Sequence, residues 1–202
     1  MSFETGKLKI TIGSYINSIK LKKKIKAEAM SENVILVNEQ DEVVGTMPKM
    51  EAHIEGKLHR AFSVFVFNTE GQLLLQQRAA DKYHSGGKWS NTCCSHPRPG
   101  EDTLDAAHRR LFEEMGMTCE LNEAFSFIYK VEMDGGLTEH EYDHVYVGIS
   151  DVPPVPNSAE VAAYCYEKMS ELEEKLTDEP DQYSEWLKIC FSRVNNIYHL
   201  LV

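Results

Sequence analysis

The 202-residue sequence has no apolar run approaching the roughly 20 residues that a membrane-crossing helix needs, so a helical membrane protein is not expected. It is poor in positive charge: 21 Lys and Arg stand against 32 Asp and Glu, a formal net charge of −11. Nucleic acid is therefore not expected as a partner, because phosphate contacts need a basic face. Any anionic ligand must be held by locally placed cations or by metal ions. Internal repeats, low-complexity tracts and a glycine-rich phosphate loop opening a helix are all missing. Cysteine is sparse and odd in number: Cys93, Cys94, Cys119, Cys165 and Cys190. No secretory signal precedes them, so they read as reduced thiols in a cytoplasmic protein. What remains is an ordinary globular composition, 42% hydrophobic and 26% charged, at a length that suits one domain.

Residues 1–29 stand apart. Lys7, Lys9, Lys20, Lys22, Lys23, Lys24 and Lys26 face only Glu4 and Glu28, while the rest is acidic. This basic stretch lacks arginine, so it reads as an N-terminal extension and not as a transit peptide. Met30-Ser31-Glu32 resembles a second start, and 30–202 reads as a single domain. Strands are expected at Asn33–Val37, from Val43, at Ala61–Phe67 and at Leu73–Arg78, with a hairpin turn at Asn68–Gly71. Lys49–His59 looks polar and mobile. Later strands are expected at Ala124–Glu132, His140–Ile149 and Val161–Glu167. A short helix at Ser170–Leu176 carries a Ser170/Glu173 capping box, and a last helix runs from Pro180 to about Leu200. Mixed strands with a few helices give an α+β sandwich.

The chemistry concentrates in Lys88–Met117, KWSNTCCSHPRPGEDTLDAAHRRLFEEMGM. Asp102 or Thr103 can cap a helix there. Leu104, Ala107, Leu111 and Met115 form its apolar stripe, and Gly116 sits where a helix wants to end. Arg110 and Glu114, four apart, share one face.

Arg109–Met117 resembles the second half of a Nudix box, with Glu101, Glu113, Glu114 and Gly116 in register. Two positions depart from the box: Ser95 replaces its first glycine, and Arg110 replaces the glutamate that a hydrolase uses on its magnesium. Those departures, with Asn91-Thr92-Cys93-Cys94-Ser95-His96-Pro97, resemble the type 1 isopentenyl-diphosphate isomerases. The resemblance runs from Asn33 to about Trp186. It implies a Nudix-like α/β/α sandwich with a mixed sheet, plus the N-terminal extension and a C-terminal helix.

His53, His59 and His96 lie in three polar stretches, and Glu139 and Glu141 point the same way on a strand. Such a set suits Zn²⁺ or Mn²⁺, while spacing alone leaves surface histidines as the alternative. The resemblance implies that all five bind one metal. It leaves His84 and His108 unmatched, as surface residues, and turns His140 away. It further implies Cys94 and Glu141 as the acid/base pair, Tyr129 bonded to that glutamate, and Trp186 against a cationic carbon. Lys49, Arg78, Lys82 and Arg110 would contact a diphosphate, and Glu114 with Cys94 would serve Mg²⁺. Cys93 is expected to be a small buried hydrophobe.

The expected activity is interconversion of isopentenyl and dimethylallyl diphosphate, a small isoprenoid substrate, by a monomer or weak dimer with no membrane or nucleic-acid partner. A Nudix hydrolase and a non-catalytic Nudix-like module are the alternatives. The flavin-dependent isomerase type lacks support, because the sequence offers no phosphate loop for the flavin.

Overall fold

The structure, a computed structural model, describes residues 32–82 and 84–198. The basic extension and the boundary at residue 30 lie outside the described residues. β1 (Asn33–Val37) and β2 (Val43–Pro48) form an antiparallel hairpin around the Asn38 turn. Lys49–Glu55 is a helix, α1, and not the mobile stretch that its polarity suggests. Gly56 closes it at φ 60°, where a residue with a side chain is strained. A single turn needs few apolar residues, so the sequence carries little helical periodicity there.

β3 (His59–Phe67) is the centre of the molecule. It pairs in parallel with β8 (Leu137–Ile149) and antiparallel with the short β6 (Cys93–Ser95). β8 pairs antiparallel with β7 (Asn122–Met133) across the Asp134–Gly136 turn. β4 (Gln72–Arg78) leaves β3 after one paired position, Phe67 with Leu73. It then joins β5 (Trp89–Ser90) and β9 (Val161–Lys168). From Ala61 to Phe67, β3 is apolar except for Ser63, because both faces are covered. Phe62, Val64 and Val66 pack with Leu111 and Met115 of α2 (Thr103–Met115). Phe65 and Phe67 pack with Leu172 of α3 (Met169–Asp178) and with Leu187 and Phe191 of α4 (Glu185–Tyr198). The result is helix, sheet, helix.

α2 forms as its sequence predicts. Asp102 Oδ1 accepts from the amides of Leu104 (2.9 Å) and Asp105 (3.2 Å). Gly116 ends the helix at φ 62°, and a Cβ there would meet the Val155 carbonyl. Two helix ends differ from expectation. α3 begins at Met169, so Ser170 lies inside it and makes no cap. Pro180–Gln182 is a separate 3₁₀ turn, and α4 starts only at Glu185. Among the described residues no helix is long and apolar enough to cross a membrane.

Candidate active site

Strand register assembles the site. The β3/β8 pairing sets His59 opposite Glu141, and the β7/β8 pairing sets Tyr129 opposite the same glutamate. The β3/β6 pairing sets Cys94 opposite Ser63. Alternation along β8 turns Glu139 and Glu141 inward, and His140 turns out to meet the Gly56 carbonyl at 2.9 Å. α1 swings His53 over this group. A cleft of about 530 Å³, open to solvent, is lined by eleven of the sequence-predicted residues, among them Lys49, Lys82, Cys94 and Trp186. The other two, His53 and His59, are fully buried behind its wall.

One wall of the cleft consists of acceptors. Donor atoms of His53, His59, His96, Glu139 and Glu141 lie within 4.8 Å of one another. His59 Nε2 is 3.2 Å from His96 Nε2, which is 2.9 Å from Glu141 Oε1. His53 Nε2 is 3.1 Å from Glu139 Oε2. The Nδ1 atoms of His53 and His59 contact the carbonyls of Lys49 (2.6 Å) and Lys57 (2.8 Å). An Nδ1–H donated there turns each Nε2 inward, where the neutral imidazole would offer a lone pair. Burial, then Lys49 and His59, hold His96 well below the ordinary imidazole range, whereas for His53 burial is outweighed by the contact with Glu139, which raises it. Burial raises Glu139 and Glu141, but the contacts with His53 and His84 for the first and His59 for the second outweigh it, and both carboxyls stay ionised. Inward lone pairs and carboxylates repel one another unless a cation lies among them. The donor set fits a divalent metal ion.

The opposite wall balances its own charge. Arg110 donates to Glu114 Oε1 at 2.5 Å and to Glu113 at 2.9 Å, and Gln76 donates to Glu114 Oε2 at 2.8 Å. Lys82 and Arg110 both pair with Glu160. Arg109 grips Glu101 through two donors, at 2.6 and 2.8 Å.

Between the walls lie Cys94, Tyr129 and Trp186. Tyr129 Oη donates to Glu141 Oε2 at 2.6 Å. The indole N–H of Trp186 donates to Ser90 Oγ (2.8 Å) and Asn91 Oδ1 (3.1 Å), and Arg78 lies 5.0 Å over its ring. Burial pushes the Cys94 thiol up to about 12; Arg78 opposes this, and Glu114, Glu141 and Asp143 add to it. The protein alone thus keeps sulfur protonated and the Glu141 carboxyl ionised. Cys93 is fully buried in the α2 core, as expected of a packing residue.

Residues 57–187 match the NUDIX domain family. A protein named isopentenyl-diphosphate Delta-isomerase from Pectobacterium atrosepticum is 52% identical over 161 residues, which cover 80% of this chain and 90% of that one. One named isopentenyl-diphosphate Delta-isomerase 2, from Aromatoleum aromaticum, is 53% identical, covering 82% and 87%. The chain belongs to the isopentenyl-diphosphate Delta-isomerase family. Its fold is that of the Nudix proteins. A solved structure from Deinococcus radiodurans superimposes with a TM-score of 0.67 at 22% identity, covering 80% of this chain and 98% of that one. A MutT protein from Methanosarcina mazei gives 0.57 at 18% identity, covering 69% and 94%. These two likenesses concern the fold alone. Within this isomerase family the Arg110–Glu114 pair is intelligible: where the Nudix box has glutamate, the chain places a cation beside the remaining carboxylate.

Four site residues escaped the sequence reading. His84, expected at the surface, is 8% exposed, and its Nε2 lies 2.9 Å from Glu139 Oε1. Its loop folds inward because Gly87 donates to the Arg78 carbonyl and Arg78 Nη2 donates to the His84 carbonyl. Glu160 and Gln76 needed the β4/β9 pairing to reach the cleft. Asp143 was legible: it continues the inward alternation of Glu139 and Glu141. Burial and then the Glu141 charge hold it well above the usual carboxylate range, and Cys190 Sγ lies 3.7 Å away.

Proposed function

We propose that the chain interconverts isopentenyl and dimethylallyl diphosphate by adding a proton at one carbon and removing another two carbons away. One observation carries this reading. A thiol that holds its proton and a carboxylate that lacks one share a cleft with a tryptophan face, beside a wall of diphosphate-sized cations.

Tyr129 and the strand register fix Glu141, and Cys94 faces it from β6. In the isopentenyl direction the pair must start with its proton moved from Cys94 to Glu141, as thiolate and carboxylic acid, and Glu141 then gives that proton to the terminal carbon of the double bond. The positive charge then falls on the tertiary carbon, under the Trp186 ring. Cys94 sulfur takes the C2 proton and the new double bond forms. The mirror sequence runs the reaction back, from the thiol and carboxylate forms that the protein favours. Lys49, Arg78, Lys82 and Arg110 hold the diphosphate, and Glu160 must yield Lys82 and Arg110 to it.

His53, His59, His96, Glu139 and Glu141 would hold Zn²⁺ or Mn²⁺, whose charge would support the pair as proton carriers. Glu114 and Cys94 would flank the Mg²⁺ that accompanies the diphosphate oxygens. Five free thiols among the described residues suit a cytoplasmic enzyme.

Proton NMR of isopentenyl diphosphate in D₂O with the protein and Mg²⁺ tests this. The dimethylallyl methyl signals should grow with deuterium incorporated, and Cys94→Ala should lower the rate by about 10³-fold. Unchanged turnover in Cys94→Ala would remove the thiol from the mechanism. Diphosphate cleavage without isomerisation would favour a Nudix hydrolase.

A further inference from the structure

His84 lies between three parts of the site that the proposed chemistry keeps separate. Its ring stands edge-on to Trp186, with centroids 5.6 Å apart at an interplanar angle of 78°. Its backbone carbonyl is met by Arg78 Nη2 at 3.4 Å. Its Nε2 faces Glu139 Oε1 at 2.9 Å. It does not belong to the five converging donors.

Glu139 is nearly fully buried, and its two oxygens are divided. Oε2 lies 3.1 Å from His53 Nε2, inside the donor group, whereas Oε1 points back toward the β4–β5 loop and His84. A carboxylate on a strand is free to rotate about its last torsion. Rotation would exchange the two oxygens or set both toward the metal position. The His84 ring, in close polar contact with Oε1 at 2.9 Å though not aligned as a hydrogen bond, opposes this and leaves Oε2 as a single ligand atom.

Resting on the reading of the five donors as a metal site, we infer that His84 is a positioning residue for that metal: it holds Oε1 of Glu139 from outside and thereby aims Oε2 inward. Partners of this kind change metal affinity by about 10–100-fold when removed. Because Arg78 bonds the same loop, His84 also ties the diphosphate cations to the metal wall.

Two substitutions separate the polar contact from the packing. His84→Leu fills the space against Trp186 without a donor. His84→Gln keeps an N–H at similar reach. The readout is Zn²⁺ and Mn²⁺ affinity of the metal-stripped full chain, measured by competition with a chelating indicator. The expected result is a loss of about 10–100-fold in His84→Leu and near-native affinity in His84→Gln. Native affinity in both variants would overturn the inference, and an equal loss in both would reduce His84 to a packing residue. A native chain that competes for neither ion would overturn the metal reading, and this inference with it.

Discussion

The two walls of the cleft hold ionisable groups in similar number and treat them in opposite ways. On the α2 wall every cation has its carboxylate: Arg109 with Glu101, Arg110 with Glu114, Lys82 with Glu160. On the β8 wall three imidazoles and two carboxylates turn their acceptor atoms toward one point. That wall could hold a metal ion. The difference teaches where each kind of chemistry belongs. Paired cations can be lent to an incoming diphosphate and returned to Glu160 afterwards. A cluster of acceptors instead commits its site to an ion before any substrate arrives.

Stripping the metal should break the comparison most visibly. A metal held at about 1,000 times its dissociation constant adds about 4 kcal/mol to stability. For a chain of this size that is about 10 °C in Tm. Chelation should therefore lower Tm by that order and reduce turnover to background, with recovery on adding Zn²⁺ or Mn²⁺; differential scanning fluorimetry reads the first. Arg110→Ala acts on the other wall. It should leave the metal in place and lower kcat/KM by about 10–100-fold, mostly through KM, since a charged hydrogen-bond partner is worth about 1.5–3 kcal/mol. Steady-state kinetics reads it, and a loss confined to kcat would deny Arg110 its diphosphate role. Asp102→Ala removes only the α2 cap. It should cost about 1 kcal/mol in urea unfolding, with activity per folded molecule unchanged.

The smallest effect sharpens the contrast through pH. The hydrogen bond from Arg109 holds Glu101 below the usual carboxylate range, against a lesser upward push from burial. A depressed carboxyl stabilises the fold above its unfolded value, near 4.5, and that contribution is lost as pH falls through the lower folded value. Glu101→Gln should therefore be less stable than native at pH 7, with the gap closing below about pH 4.5. A gap that persists in acid would mean that the pair is steric.

How much of this was legible depends on whether a residue's neighbours are local. α2 was read to its caps, because Asp102, the apolar stripe and Gly116 all act within 15 residues of one another. β3 and β8 were legible as strands, at Ala61–Phe67 and His140–Ile149. His53, His59, His96, Glu139 and Glu141 were grouped through the family resemblance; α1, β3, the residues after β6 and β8 bring their donor atoms within 4.8 Å of one another. α1 was missed because seven residues between Pro48 and Gly56 carry almost no periodicity. His84 was missed because nothing near it in sequence says that its loop folds inward; its partners are Arg78 and Glu139, the latter 55 positions away. Glu160 was missed for the same reason.

The most direct test is the metal content of the purified full chain after exhaustive dialysis, measured by elemental analysis beside His59→Ala. The account predicts about one Zn²⁺ or Mn²⁺ per native chain and a marked loss in the variant. A native chain with neither ion, or a variant that retains the native content, would contradict the reading of the β8 wall as a metal site.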